Sequence, residues 1–273
     1  MREFHLADRT ISTPLPCFLM GIVNCTPDSF YTESRRGAAL AARLIDEGAD
    51  VLDIGGESTR PGSSYVDEDE EISRVIPVIR QIRKTSSVPI SVDTRKLAVM
   101  KAAFDEGADI LNDVSAIEDD EGLVDFAAQK KIPVILMHKR GSPLTMQCDT
   151  GYKDVLSEVS SYLQARADFA ISRGIEEGKI IVDPGIGFGK DLAGNLALIA
   201  GCGKLCGGRY PVLMALSRKS FLAELTGRDV QGRLAGTIAA NLIAAQRGAF
   251  MLRVHDVASC KDSLAVLKSF AGI

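Results

Sequence analysis

The 273-residue chain has only three histidines, His5, His138 and His255, and none lies near Cys202 and Cys206, the closest pair among its six cysteines. No zinc-type ligand spacing results, and thiols scattered through apolar segments read as reduced and partly buried. No apolar run approaches the roughly 18 residues of a membrane span, and the stretch before Cys17 is polar. The expectation is a cytoplasmic protein that does not engage a membrane. Excess basic charge is missing too: 32 Lys and Arg face 36 Asp and Glu, a net charge of −4. Without a global positive field, nucleic acid is not expected as a partner, and any anionic ligand must be held by local cations. No Pro/Ser-rich linker interrupts the chain, which reads as one domain over residues 1–273 with its core at about 17–270.

What the chain does have is 46% hydrophobic residues and 25% charged ones, a globular balance, arranged in eight short apolar, β-branched runs. They are CFLMGIVN (17–24), DVLDIGG (50–56), PISVDT (89–94), DILNDV (109–114), PVILMH (133–138), IIVDPG (180–185), PVLMALS (211–217) and FMLRVH (250–255). Between them lie segments of helical spacing such as AALAARLIDEG, KLAVMKAAFDEG and VASCKDSLAVLKSF, with glycine at Gly48, Gly107, Gly174 and Gly248 where helices should end. Runs that are apolar throughout suit parallel strands covered on both faces. Eight strand–helix units in this length predict an α/β fold of the closed (β/α)8 TIM-barrel type, since open doubly wound sheets usually have fewer strands.

Nearly every run ends in a polar side chain: Asn24, Asp53, Asp93, Asn112, His138, Asp183, Ser217 to Ser220, and Arg253 with His255. Barrel chemistry is carried at these C-terminal strand ends. A single such residue is as readily a helix cap, but capping does not explain eight polar endings at one rim. Asp93, Asn112 and Asp183 would offer a flat heterocycle two carboxylates and an amide, and a carboxylate can accept from two adjacent N–H groups. SRKS (217–220) places Arg218, Lys219 and two hydroxyls after the seventh run, where barrels often bind phosphate. Arg253 and His255 alternate with Val254, so both face the same side of the last strand. GIGFGK is not a P-loop: the glycine spacing is wrong, and Asp191 follows the lysine where Ser or Thr is required. Its glycines read as a tight turn. GGESTRPG is a second shaped loop, carrying Thr59 and Arg60.

In this order, MGIVNCTPDSF, DIGGESTRPGSS, ISVDT, LNDV, ILMH, PLTMQ, VDPGIGFGK, SRKSF and RVHDV resemble the motifs of the dihydropteroate synthase family, from about residue 18 to the end of the chain. The resemblance implies a (β/α)8 barrel, usually a homodimer, that joins 6-hydroxymethyl-7,8-dihydropterin diphosphate to 4-aminobenzoate and releases diphosphate. It further implies that Asp93, Asn112, Asp183 and Lys219 hold the pterin, with Met137 and Phe188 as apolar walls. Arg253 and His255 would hold the diphosphate, and Asn24 would ligate its Mg²⁺. Phe30, Thr59, Arg60, Pro61 and Ser220 would shape the aminobenzoate and diphosphate ends. The catalytic group would comprise Lys219, Arg253, His255 and Asp93, stabilising charge as the carbon–oxygen bond breaks ahead of attack by the amine.

The chain departs from the pattern after TPDSF, where an acidic residue and paired glycines usually follow. Here the loop is shorter, and Tyr31, Glu33, Arg35 and Arg36 are available in their place. That loop helps form the aminobenzoate side, which sulfonamide-like mimics would occupy. Lys139 also stands where Met is common. Alternative readings are a pterin-binding methyltransferase domain that serves a corrinoid, a non-catalytic pterin-binding relative, and a barrel aldolase. The first has no diphosphate to hold. The aldolase would need a desolvated lysine in a strand interior, whereas Lys190 and Lys219 follow strand ends. The excess of Ala, Leu and Ile in RLAGTIAANLIAAQRG marks a candidate dimer surface.

Overall fold

Side chains alternate across each apolar run, and in the computed structural model one set points inward and the other outward. The structure describes residues 1–25, 30–58, 62–141, 145–146 and 149–270, with the side chains of residues 30–35 outside that description. All eight anticipated strands form: β3 (Phe18–Asn24), β4 (Val51–Gly55), β5 (Ile90–Asp93), β6 (Ile110–Asp113), β7 (Val134–Met137), β8 (Ile180–Asp183), β9 (Leu213–Met214) and β10 (Met251–Val254). They are parallel, in the order β8-β7-β6-β5-β4-β3-β10-β9, and a parallel bridge from Val182 to Val212 joins the two ends into a barrel. The seventh strand is shorter than its seven-residue run suggests. Pro211 has no N–H to give the ladder, although its carbonyl accepts from Val182 at 3.0 Å.

Outside the barrel pack α1 (Phe30–Asp46), α2 (Glu68–Arg83), α3 (Leu97–Asp105), α4 (Gly122–Lys130), α5 (Val155–Ser172), α6 (Leu192–Ala200), α7 (Ser220–Thr226), α8 (Leu234–Gln246) and α9 (Val257–Phe270). Local sequence sets their ends. Asp67, Asp154 and Asp191 each accept from an N–H in the first turn of α2, α5 and α6, satisfying a donor that the helix cannot. Thus Asp191, which spoils the P-loop pattern, is a helix cap. The four glycines expected at helix ends all adopt left-handed φ, between +95° and +100°.

Outward residues such as Leu19, Leu52, Ile54, Val92, Leu111 and Val182 form one core with the helices. Inward residues Phe18, Met20, Val51, Ile110, Ile135, Ile181, Leu213 and Met251 form a second core that fills the lower barrel. The N-terminal stretch that reads as merely polar is a hairpin, β1 (Arg2–His5) paired antiparallel with β2 (Thr10–Thr13). Phe4 and Leu6 from this segment join the inner core, Phe4 meeting Phe18 and Phe250 at 6.1 and 5.8 Å between ring centroids. The core therefore begins well before residue 17, and the barrel is plugged at its base. Lys179 secures the plug by donating to the carbonyls of Leu6 at 2.5 Å and His5 at 3.3 Å. With the bottom closed, the polar strand ends face the open mouth. Among the described residues, no helix is long and apolar enough to cross a membrane.

Candidate active site

Above the apolar layer, the next inward positions are Asp53, Asp93, Asn112, Met137, Asp183 and Arg253. The first three and Asp183 are buried, with Asp53 at 0% exposure. Arg253 from β10 ties them together. Its Nε donates to Asp53 Oδ2 at 2.5 Å and its Nη2 to Asp93 Oδ2 at 2.9 Å. Asn112 also donates to Asp53, at 3.2 and 3.3 Å. Asp53, in sequence simply a polar strand ending, is in the fold the counter-ion that orients both Arg253 and Asn112.

Asp183, at the end of β8, accepts from the Gly185 N–H at 2.7 Å. Burial raises its pKa, opposed by the charge of Lys219, that N–H and the charge of Arg253. Asp93 is pushed up to about 8, chiefly by burial; Arg253 opposes the shift, while Asp53, Glu71 and Asp113 add to it. Both carboxyl groups are thus strained toward the neutral form, and a ligand edge carrying N–H groups would favour their ionised forms. Lys219 is lowered to about 8 by burial, with Asp183 holding it up and Arg253 pushing it down. Its Nζ donates to the Ile186 carbonyl and lies 4.7 Å from the centroid of the Phe188 ring. Asp93, Asp183, Lys219 and Arg253 therefore share one mouth, as the strand-end argument requires.

On the cationic side, His255 faces the same way as Arg253, while Val254 is buried in the outer core. Its Nδ1 lies 3.0 Å from Ser217 Oγ, which also accepts from the His255 N–H at 3.2 Å. Arg218, a possible phosphate ligand in SRKS, turns away. It has a left-handed φ of +59° and makes a two-pronged ion pair with Asp256 at 3.0 and 2.6 Å. Ser220 opens α7 and is exposed, and Asn24 is the only exposed residue of β3. Thr59, Arg60 and Pro61 lie outside the described residues, as does the side chain of Phe30.

Two supports were not apparent from the motifs. Glu57, just before Ser58, accepts from Lys96 Nζ at 2.8 Å, Arg95 Nε at 3.0 Å and the Val66 N–H at 2.9 Å. It thereby joins both ends of the loop after β4 to the start of α3. Burial opposes its charge, but hydrogen bonds from Arg95, Lys96 and Val66 prevail and lower its pKa. Lys139 pairs with Asp119 at 3.2 Å, so its charge is used within the rim loops.

The second support is Lys190, which is only 3% exposed. Lys190 follows the end of β8, yet the folded turn desolvates it. Burial lowers its pKa to about 7, Asp183 opposes that shift, and Lys219 and Arg140 add to it. Its Nζ is enclosed by His138 Nδ1 at 2.9 Å and the carbonyls of Gly185 and Phe188 at 2.9 and 2.8 Å. So enclosed, it has no open approach for a Schiff-base carbonyl. Among the described residues, no group of three or more His, Cys, Asp and Glu side chains could hold a metal ion.

Residues 20–255 match the family described as pterin binding enzyme. The dihydropteroate synthase of Neisseria meningitidis serogroup B is 45% identical over 259 residues, covering 91% of this chain and 90% of the relative. A solved structure of Xanthomonas albilineans dihydropteroate synthase with 4-aminobenzoic acid is 44% identical and superposes with a TM-score of 0.92, covering 99% of this chain and 98% of that one. The Yersinia pestis dihydropteroate synthase in a sulfonamide drug complex is 35% identical, with a TM-score of 0.93 and full coverage of both chains.

Proposed function

The chain belongs to the pterin-binding enzymes, among the dihydropteroate synthases, and from that premise we propose that the barrel mouth divides into a pterin-recognising half and a diphosphate-holding half. The reaction is the folate-pathway condensation of 6-hydroxymethyl-7,8-dihydropterin diphosphate with 4-aminobenzoate, with release of diphosphate. The observation that carries the assignment of residues is the convergence of the buried Asp93, Asn112 and Asp183 with the half-buried Arg253 and Lys219 at one mouth. A methyltransferase has no leaving polyanion for those cations to meet.

In this reading Asp183 and Asp93 accept from the N–H edge of the pterin, and Asn112 is oriented beside them by Asp53. Met137 and Phe188 form the walls. As the carbon–oxygen bond lengthens, negative charge grows on the diphosphate and positive charge on the pterin. Arg253, His255 and Lys219 stabilise the first, and the two carboxylates the second; such preorganised charges need little rearrangement during reaction. The neutral aromatic amine then attacks the methylene, and the departing diphosphate accepts its proton. No covalent enzyme intermediate is required. Thr59, Arg60, Pro61, Phe30 and Ser220 are assigned to the aminobenzoate and diphosphate ends, where sulfonamides would compete.

Asn24 fits a magnesium ion. Its exposed amide ends an otherwise buried strand, and a hard cation carried on diphosphate needs few protein ligands beyond one oxygen. When bound, Mg²⁺ would supply charge neutralisation of the diphosphate. We also assign a homodimer, supported by the exposed apolar side chains Leu225, Val230, Leu234, Ile243, Val266 and Phe270 on and between α7, α8 and α9. A cytoplasmic setting is supported by the buried free thiols Cys17, Cys202, Cys206 and Cys260. The test is incubation with pterin diphosphate, Mg²⁺ and 4-aminobenzoate while following diphosphate. Release that requires the amine and yields dihydropteroate supports the reading; release without dihydropteroate contradicts it.

A further inference from the structure

Resting on that reading, we propose that Lys190 is a positioning residue whose ammonium pins the turn from Gly185 to Gly189 and so sets Asp183, Lys219 and Phe188 for the pterin. An ammonium has three N–H donors, and the Lys190 Nζ has three close acceptors: Gly185 O at 2.9 Å, Phe188 O at 2.8 Å and His138 Nδ1 at 2.9 Å. The first two carbonyls belong to the turn itself. His138 belongs to β7's end, and its ring packs edge-on against Tyr162 with centroids 4.9 Å apart, so the pin is anchored in the barrel wall.

The turn needs such an anchor. Gly185, Gly187 and Gly189 have φ of +66°, +84° and +67°, and glycine backbones lose more freedom on ordering than any other residue. At Gly185, a β-carbon would lie 1.9 Å from the His138 carbonyl oxygen, so a stiffer residue is excluded. Asn195 supports the turn from the other side, accepting from the Gly187 N–H at 2.7 Å and donating to the Lys190 carbonyl at 3.3 Å.

Three site features hang from this turn. The Gly185 N–H holds Asp183, the Ile186 carbonyl receives Lys219, and the Phe188 ring lies over the same ammonium. Lys190 touches none of the ligand-facing groups directly except through this backbone. Its loss should therefore disturb the pterin end and leave the aminobenzoate end nearly unchanged.

The test is steady-state kinetics on the wild type, Lys190→Met, Phe188→Ala and the double variant, each substrate varied with the other saturating. Lys190→Met should raise KM for pterin diphosphate about tenfold, because two buried carbonyls lose their donor, with KM for 4-aminobenzoate changed less than about twofold. In the Phe188→Ala background the same substitution should add less than the full tenfold, since part of its effect passes through the placement of that ring. If Lys190→Met does not fold, His138→Leu, which removes one anchor and leaves the carbonyls paired, should give the same split at about threefold. Equal shifts in both KM values, full additivity, or a lowered melting temperature with unchanged kinetics would overturn the proposal. Absence of turnover by the wild type would overturn the parent reading, and this one with it.

Discussion

Replacing Asp183 with asparagine keeps the side-chain shape and an oxygen for the Gly185 N–H at 2.7 Å, but it turns the second acceptor into a donor. That position is buried and aimed at the pterin edge in our account, so an N–H would face an N–H. Hydrogen bonds to a charged group contribute roughly 1.5–3 kcal/mol each. Losing one at the upper end amounts to about 3 kcal/mol, or roughly 100-fold in affinity. A second consequence follows from Lys219, whose pKa of about 8 is held up by Asp183 against burial and Arg253. Its ammonium persists below that value and is lost as pH rises through it. Without Asp183 the folded-state pKa falls further, and the alkaline limb of kcat/KM moves to lower pH. Calorimetric titration with the pterin lacking diphosphate, together with the pH profile, would measure both effects. Affinity within threefold of wild type and an unmoved alkaline limb would remove Asp183 from the pterin edge.

Arg253→Ala should weaken pterin diphosphate more than the pterin lacking phosphate, and equal losses in titration would remove Arg253 from the diphosphate half. It should also destabilise the fold, because Asp53 and Asp93 lose their shared partner; breaking a buried pair costs about 3–5 kcal/mol. His138 has its pKa lowered to about 3, by burial first and then by Lys190 and Arg140. Between its ordinary value and that figure, the unfolded chain binds a proton that the native chain does not. Stability is therefore lost as pH falls from about 6.5 toward 3, at on the order of 1.4 kcal/mol per pH unit. Denaturant unfolding of His138→Leu should show that slope reduced, and an identical slope would contradict it. Phe4→Ala, at the far end of the barrel, should cost about 3–5 kcal/mol in unfolding free energy with kcat/KM unchanged.

The barrel was legible because each strand is a short apolar run, the segments between them have helical spacing, and four of the helices end at a glycine. The rim was legible because polar residues fall at the inward phase of most runs; in the fifth, Met137 takes that place and His138 packs against Tyr162 of α5. What was hidden depends on contacts between distant segments. Asp53 and Arg253 are 200 residues apart, and neither motif indicates that the arginine's fork is shared between two aspartates. Lys190 looks solvated beside glycines, and only the folded turn encloses it. The hairpin's alternating polar residues gave no sign that Phe4 and Leu6 enter the barrel. The seventh strand is shorter than its run because apolar character marks burial, and Ala215, Leu216 and Ser217 are buried without joining the ladder.

A crystal structure with the pterin diphosphate bound tests the division of the mouth most directly. The ring edge should lie on Asp93, Asn112 and Asp183, with the diphosphate against Arg253 and His255. A ring placed away from Asp183, or a diphosphate reaching neither cation, would contradict it.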